Sequence, residues 1–339
     1  MNWGLLYFLP LAWLWVRLIE ELRVQWSANP QYAYGYAVPF LCLYLIWRKA
    51  ETANAEMLKA EKLKAKSENR LQTTDYELGT KAKSENRLRT TDYELGTKTK
   101  GEKQFQMFGL GLLAFLYLPI RLIQEANPGW ALATWPLAIL VISLNLLFLR
   151  SCATRDGWVR GLAFPLWFFL IAVPWPFTIE QPVIQGLTRL NTALTVEILG
   201  LLGIPAVPQG NVIELATGTV GIDEACSGIR SLQATLMIGL FLGELHRLSA
   251  GRRVVCVAGG FALAMVCNLA RMLLLCWVAA HRGVDAIAGW HDPAGVTILV
   301  ACFVGVWGMA AGLGRSPKAE GRSPEAEVRS PKSKVQSPK

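Results

Sequence analysis

The segment GIDEACSGIRSL, residues 221–232, places a single cysteine in a polar setting within a strongly apolar chain. Cys226 lies two residues after Glu224 and four residues before Arg230. A thiol is a strong nucleophile only as a thiolate, which a helix N-terminus and a nearby cation both favour. Because an apolar run begins at residue 229, we predict Cys226 at a helix N-terminus. Arg230 would support the thiolate there, and Glu224 would face water or pair with a base.

The alternative interpretation of Cys226 is a small, buried apolar side chain. We adopt that interpretation for the other cysteines, most of which lie within apolar runs: Cys42, Cys152, Cys256, Cys267, Cys276 and Cys302. None has zinc-ligand spacing with a histidine, and the chain contains neither CxxC nor HExxH. The sequence therefore predicts no metal and no cofactor, and it does not favour an intramembrane metalloprotease.

Asn268 and Arg271 lie inside a long apolar run, three residues apart and therefore on one face of a helix. An arginine at membrane depth costs several kcal/mol (about 3 or more) unless it is paired or solvated. Arg271 could also snorkel to the interface, but it lies about nine residues from the predicted end of the run, roughly 13 Å at helical rise. We therefore predict a functional role for Arg271, with Asn268 supporting it.

His291 and Asp292 precede the last apolar run, on the side predicted for Cys226. A histidine in a loop is usually a surface residue. Here it is the histidine best placed to meet Cys226, because the other two have no comparable polar companions on that side. A cysteine that attacks an acyl carbon, a histidine that transfers protons and an arginine that stabilises an oxyanion form a complete set for acyl transfer.

Composition indicates the elements that must position these residues. The chain has 339 residues, of which 53% are hydrophobic and only 17% charged. Apolar runs of about 17 to 25 residues are long enough to cross a bilayer as helices. We predict an all-α polytopic membrane protein with about eight transmembrane helices, at 3–18, 33–47, 105–122, 130–149, 161–177, 229–243, 254–280 and 295–313. The first run lacks the features of a cleaved signal peptide and is interpreted as a retained span.

The distribution of basic residues orients these spans. The net charge of +9 comes largely from the loop after the second span, the segments 150–160 and 246–253, and the tail. By the positive-inside rule we predict that these regions and both termini are cytoplasmic. The positive charge is then explained by contact with the lipid bilayer, and we predict no binding of nucleic acid. The site then faces outward, which in a bacterial inner (plasma) membrane is the periplasmic side.

The chain divides into four predicted regions: two N-terminal spans (1–47), a charged cytoplasmic loop (48–104), a membrane core (105–313) and a disordered basic tail (314–339). The charged loop contains the tandem copies KAKSENRLQTTDYELGT and KAKSENRLRTTDYELGT at 64–97. Within the core, 179–203 predicts an amphipathic helix at the membrane face and 204–223 a short hairpin. Together these form a small extracytoplasmic loop subdomain.

The ordered set EACSGIRSL, NLAR within a later span and a histidine before the last span resembles the exosortase/archaeosortase family. The resemblance covers roughly residues 105–313; the duplicated loop at 64–97 is not part of it. It implies a multi-span cysteine transpeptidase with Cys226 as nucleophile and with Arg271 and His291 as essential partners.

The resemblance also implies the substrate. Family members process exported proteins that end in a short motif, often containing Pro-Glu-Pro, then a transmembrane helix and a basic cluster. The enzyme would hold the protein as a thioester and pass it to a cell-surface acceptor. Two alternatives remain open: a transporter whose path contains Arg271 and Asn268, and a scaffold that binds sorting signals without cutting them.

Overall fold

The computed structural model describes residues 3–74, 108–127, 130–152, 156–210, 212–221 and 227–315. Nine α-helices lie within these ranges: α1 Trp3–Ala28, α2 Val38–Thr74, α3 Phe108–Ala126, α4 Ala131–Cys152, α5 Asp156–Phe168, α6 Phe177–Leu201, α7 Ile229–Leu245, α8 Ala250–Arg282 and α9 Ile287–Gly314. Short 3-10 helices cover Pro30–Tyr36, Phe169–Ala172 and Val284–Ala286. Three strands follow α6: β1 Ala206–Gln209, β2 Val212–Leu215 and β3 Gly218–Gly221.

The all-helical polytopic architecture is confirmed, but the count of eight spans is not. In the described ranges four helices are long and apolar enough to cross a membrane, namely α3, α4, α8 and a helix that includes α9. A fifth arises if Gly161–Ala172 and Phe177–Leu201, which meet at 72°, form one broken span. Three of the predicted spans, at 3–18, 33–47 and 229–243, are not among these helices.

Local sequence explains two of these three differences. A 3-10 helix occupies Pro30–Tyr36, so α2 begins only at Val38 and becomes charged at Arg48. Its apolar part is therefore far shorter than the roughly 20 residues that a span needs. Helix α7 has 17 residues, because a turn at 246–247 ends it. Both helices still pack against others: α2 contacts α5, and α7 contacts α8 and α9.

Helices α1, α2, α4 and α5 share one apolar core, which includes the fully buried side chains Leu18, Leu22 and Val38. Trp26 of α1 reaches across this core, and its indole Nε1 donates a hydrogen bond to the carbonyl oxygen of Ala172, at 2.8 Å. Gly35 lies against the Trp26 ring so closely that a Cβ would overlap it. The N-terminal helices are therefore held against α5 and against the 3-10 turn that follows it, by apolar packing and by this hydrogen bond.

The chain bends sharply between the 3-10 turn after α5 and the start of α6. The segment VPWP at 173–176 contains two prolines, which lack the amide hydrogen that a continuous helix requires. Glu180, in the first turn of α6, accepts hydrogen bonds from Gln31 and from the Tyr32 hydroxyl, the latter at 2.6 Å. Burial and this carboxylate raise the pKa of the Tyr32 phenol, which therefore stays protonated and donates.

Helix α6 covers most of the predicted amphipathic helix at 179–203, and it buries a stripe of small polar side chains. The side chains that it buries include Thr188, Asn191, Thr192 and Thr195. Large apolar side chains face outward, including Phe177, Ile179, Leu190 and Leu194. Gln185, Arg189 and Glu197 are exposed as well, so the outward face combines apolar and charged side chains, as expected of an amphipathic helix at a membrane face.

The region after α6 forms a three-stranded antiparallel sheet, in the order β1-β2-β3, where the sequence predicted a hairpin. The turn at 216–217 joins β2 to a third strand, so the meander continues to Gly221. Ile213, Leu215 and Val220 pack against Leu199 of α6 and Met272 of α8. The sheet is thereby fixed beside the segment of α8 that carries Arg271.

Helices α7, α8 and α9 pack closely on one another, and glycines permit the approach. A Cβ on Gly260 of α8 would lie 3.0 Å from Val306 of α9. Small residues at such contacts are characteristic of membrane helices, because they allow backbones to approach. We refer below to the end of this trio that carries Arg271 as the Arg271 end, and to the opposite end as the Glu244 end.

Two predicted regions are described only in part. Helix α2 continues through the predicted boundary at residue 47 and includes the first residues of the repeat, up to Thr74. The rest of the repeat and the tail after Arg315 lie outside the described residues. The four-region division remains a prediction.

The predicted orientation can be tested with reporters at the two ends of the protein. A fusion at Gln209, at the exposed end of β1, should report the extracytoplasmic side, and fusions within 64–97 or after Arg315 should report the cytoplasm. Alkaline phosphatase and green fluorescent protein, used as a pair at each site, report opposite sides. Fluorescence at Gln209 without phosphatase activity would reverse the orientation.

Candidate functional site

A cavity of about 390 Å³ at the Arg271 end brings together five of the seven residues that the sequence singled out: Arg230, Asn268, Arg271, His291 and Asp292. Gly228, Ser231, Gly295, Val296, Ile298 and Leu299 complete its wall. Cys226 and Glu224 lie outside the described residues. The described chain resumes at Ser227, directly after the cysteine, and Gly228 lines the cavity.

Arg271 lies in α8, eleven residues before its end, and only 9% of its surface is exposed. Its guanidinium Nη2 lies 2.9 Å from Nε2 of His291 and 3.5 Å from the carbonyl oxygen of the same residue. The charged group turns toward α9, beside the partly exposed His291. Asn268, one turn earlier, is also buried.

His291 lies in the second turn of α9, which corrects the expectation of a histidine in a loop before the last span. Its Nδ1 lies 3.0 Å from Asp292 Oδ1. An arginine can only donate, so Nε2 accepts from Arg271 and the ring proton sits on Nδ1, where Asp292 accepts it. This assignment follows from the hydrogen-bond partners. Arg271, His291 and Asp292 thus form one chain of three polar side chains.

The turn that precedes α7 has a defined shape. Gly228 adopts φ 90°, a left-handed backbone conformation that glycine takes without strain, and α7 begins at the next residue. A Cβ on Gly228 would lie 3.0 Å from the side-chain nitrogen of Asn268. Asn268 therefore packs directly against the turn. The predicted start of a helix at residue 229 is confirmed.

Sequence reasoning missed Asn191 as a site residue. It lies on the buried polar face of α6, is fully buried, and donates from Nδ2 to the carbonyl oxygen of Ser227 at 3.0 Å. It therefore holds the backbone next to Cys226. The signal in the sequence is the stripe of Thr188, Asn191, Thr192 and Thr195, at helical spacing along an otherwise apolar segment.

The other cysteines in the described ranges are buried or half-buried. Cys42, Cys256, Cys276 and Cys302 are buried with free thiols, and Cys267 is half-buried. The side chain of Cys152 is outside the described set. Within the described residues, no three His, Cys, Asp or Glu side chains cluster as metal ligands. Arg230 is exposed at the rim of the cavity, one residue into α7.

Comparison with known proteins gives one match. The sequence pattern of the transmembrane exosortase family matches residues 93–308, well over half of the chain. The matched region contains every candidate site residue. No curated protein and no solved structure matches the chain significantly.

The hydrogen bond from Asn191 to Ser227 generates a stability prediction. Asn191→Ala leaves a buried carbonyl oxygen without its donor, which costs about 1–3 kcal/mol. The melting temperature of the purified protein should fall by several degrees, roughly 2–4 °C per kcal/mol. Asn145→Ala is the matched control, because Asn145 donates only to a carbonyl of its own helix. Equal shifts for the two variants would show that the bond to Ser227 contributes nothing.

Proposed function

This chain belongs to the transmembrane exosortase family, and we propose that it is a membrane cysteine transpeptidase that processes C-terminal sorting signals of exported proteins. One observation carries the proposal. The cavity that contains Arg271, His291 and Asp292 is walled by Gly228, only two residues from Cys226. Nucleophile, proton carrier and oxyanion donor are the three functions that acyl transfer needs.

In the proposed reaction Nε2 of His291 takes the proton of the Cys226 thiol, and the resulting thiolate attacks the carbonyl carbon of the scissile peptide bond. Arg271 donates hydrogen bonds to the oxygen as it becomes negative, and its planar fork suits this role. The carbon–nitrogen bond then breaks, the departing amine takes a proton from His291, and the substrate remains on the sulfur as a thioester. An acceptor nucleophile then attacks the thioester and gives its proton to His291, the carbon–sulfur bond breaks, and the Cys226 thiolate is released.

The contact between Arg271 and His291 adds a requirement to this mechanism. The Nε2 lone pair of His291, which must receive the thiol proton, accepts a hydrogen bond from Arg271. When the guanidinium turns toward the substrate carbonyl oxygen, that lone pair becomes available. A single movement of Arg271 would thus prepare both the oxyanion donor and the base. Asp292 would keep the ring oriented throughout, through Nδ1.

A second cavity supports a substrate that carries an apolar helix next to its cleavage motif. It has a volume of about 330 Å³, shares Arg271 with the first cavity, and has an apolar wall that includes Leu274, Trp290 and Ile298. A substrate with a transmembrane helix after its cleavage motif would place apolar residues here and its scissile bond at Arg271. The basic cluster of such a substrate would remain on the cytoplasmic side.

The first test is the nucleophile. With a co-expressed reporter that carries motif, helix and basic cluster, Cys226→Ala and Cys226→Ser should both abolish processing, because a hydroxyl is a much weaker nucleophile without a strong base. Cys276→Ala, in the core of α8, is the control and should process normally. Hydroxylamine should release substrate from the wild-type and Cys276→Ala enzymes but not from either Cys226 variant. Normal processing by Cys226→Ala at normal membrane levels would favour the transporter or scaffold.

The second test concerns the two partners. Arg271→Lys keeps the charge but loses the fork, and the processing rate should fall about 10²- to 10³-fold. His291→Ala should slow it roughly 10²- to 10⁴-fold. Arg282→Lys, an exposed change at the end of the same helix, is the matched control. Asn268 and Arg230 variants should lose less. If Arg271→Lys retains wild-type rates, the guanidinium is not the oxyanion donor.

A further inference from the structure

A separate cavity lies at the Glu244 end of the protein. It has a volume of about 460 Å³ and opens between α2, α5 and the turn that joins α7 to α8. Its wall includes Arg48, Lys49 and Thr52 of α2 and Arg247 of the turn. Arg253, beside this cavity, precedes Arg271 by 18 positions on α8, about 27 Å at helical rise. The cavity is therefore distinct from the candidate active site.

The cavity carries an excess of positive charge. Glu244, whose side chain is 10% exposed, accepts from Lys49 Nζ at 2.5 Å and from Arg253 Nη2 at 2.7 Å. Its negative charge is thus already matched by two cations. Arg48 and Arg247 add two more, and Glu56 is the other carboxylate in the wall. An anionic ligand would restore the balance.

Arg247 has an unusual backbone. At φ 53° it is the single non-glycine residue with positive φ in the described ranges. Its amide donates to Glu244 O at 3.0 Å, and the next amide, of Leu248, donates to Gly243 O at 2.9 Å. This pattern closes a helix and normally places glycine where Arg247 stands, because a Cβ is strained there. An arginine at this position gives the cavity a guanidinium, which lies 3.5 Å from Thr52 Oγ1.

The surroundings of the cavity mark a boundary between lipid and water. Tyr44 and Trp47 expose their rings on α2 directly before Arg48. Val254 and Val255 expose apolar side chains on α8 directly after Arg253. Aromatic rings next to cations are typical of the membrane interface. A molecule with a charged head in the cavity would therefore have apolar surface beside it for its hydrocarbon part.

We propose that this cavity binds the phosphate headgroup of an anionic membrane phospholipid. Arg48, Lys49 and Arg247 would supply charge-assisted donors, and arginine forks match phosphate oxygens in pairs. The exposed rings and valines favour a lipid over a soluble phosphate, since they would contact acyl chains. Binding would tie α2 to the turn between α7 and α8. The proposal does not depend on the catalytic activity.

The decisive variant is Arg247→Gly, which removes the cation and also relieves the strained backbone. The full chain, purified in detergent, is titrated with phosphatidylglycerol, phosphatidylcholine or inorganic phosphate while its melting temperature is recorded. Wild type should be stabilised by phosphatidylglycerol and much less by the other two. Arg247→Gly should be at least as stable as wild type without lipid, and its apparent affinity for phosphatidylglycerol should fall about tenfold or more.

Two further variants keep the result interpretable. Arg48→Gln removes another exposed cation of the cavity and should weaken phosphatidylglycerol binding without affecting the helix end. Arg282→Gln removes an exposed charge at the Arg271 end and should leave binding unchanged. Wild-type affinity in both Arg247→Gly and Arg48→Gln would overturn the proposal, as would equal stabilisation by phosphatidylcholine. Stabilisation by inorganic phosphate alone would assign the cavity to a soluble ligand and also overturn it.

Discussion

The structure depends on one buried charge. Arg271 places a guanidinium between apolar helices, where an unpaired charge would be strongly disfavoured. Its position is tolerable because α9 supplies a histidine nitrogen and a carbonyl oxygen within reach. Helices α8 and α9 must therefore keep a fixed position along each other, so that His291 stays beside Arg271. The glycine contacts between the two helices allow this close packing. The sheet packs on α6 and α8, and α6 in turn holds the turn before α7 through Asn191.

The sequence identified Arg271 and Asn268 because polar side chains are rare within apolar runs, so each one stands out. His291 was also selected, but its setting was misjudged. Glycine, aspartate and proline in AGWHDPAG suggest a loop, whereas the structure accommodates Pro293 in the second turn of a helix. Asn191 was missed because its partner is a backbone carbonyl 36 residues away. No local pattern encodes such a contact.

The count of eight spans was not confirmed, for a related reason. Hydropathy registers apolar character along the chain, but the apolar part of α2 ends at Trp47 and α7 has only 17 residues, and both pack among the other helices. Their burial is a tertiary property. Helix α6 shows a further limit, because it buries Asn191 and Leu199 together but exposes both Leu190 and Arg189. The hydrophobic periodicity of α6 predicts that the helix has two different faces. Which side chains are buried depends on the elements that pack against it.

The bond between Trp26 and Ala172 also bears on how the protein is made. The two residues are 146 positions apart, and ribosomes add about 5–20 residues per second. About 7 to 30 s therefore separate the synthesis of Trp26 from that of its hydrogen-bond partner. During that interval the Trp26 N–H needs another acceptor, which water and lipid headgroups offer near a membrane surface. The N-terminal core can thus complete its packing only after the segment around Ala172 has been made.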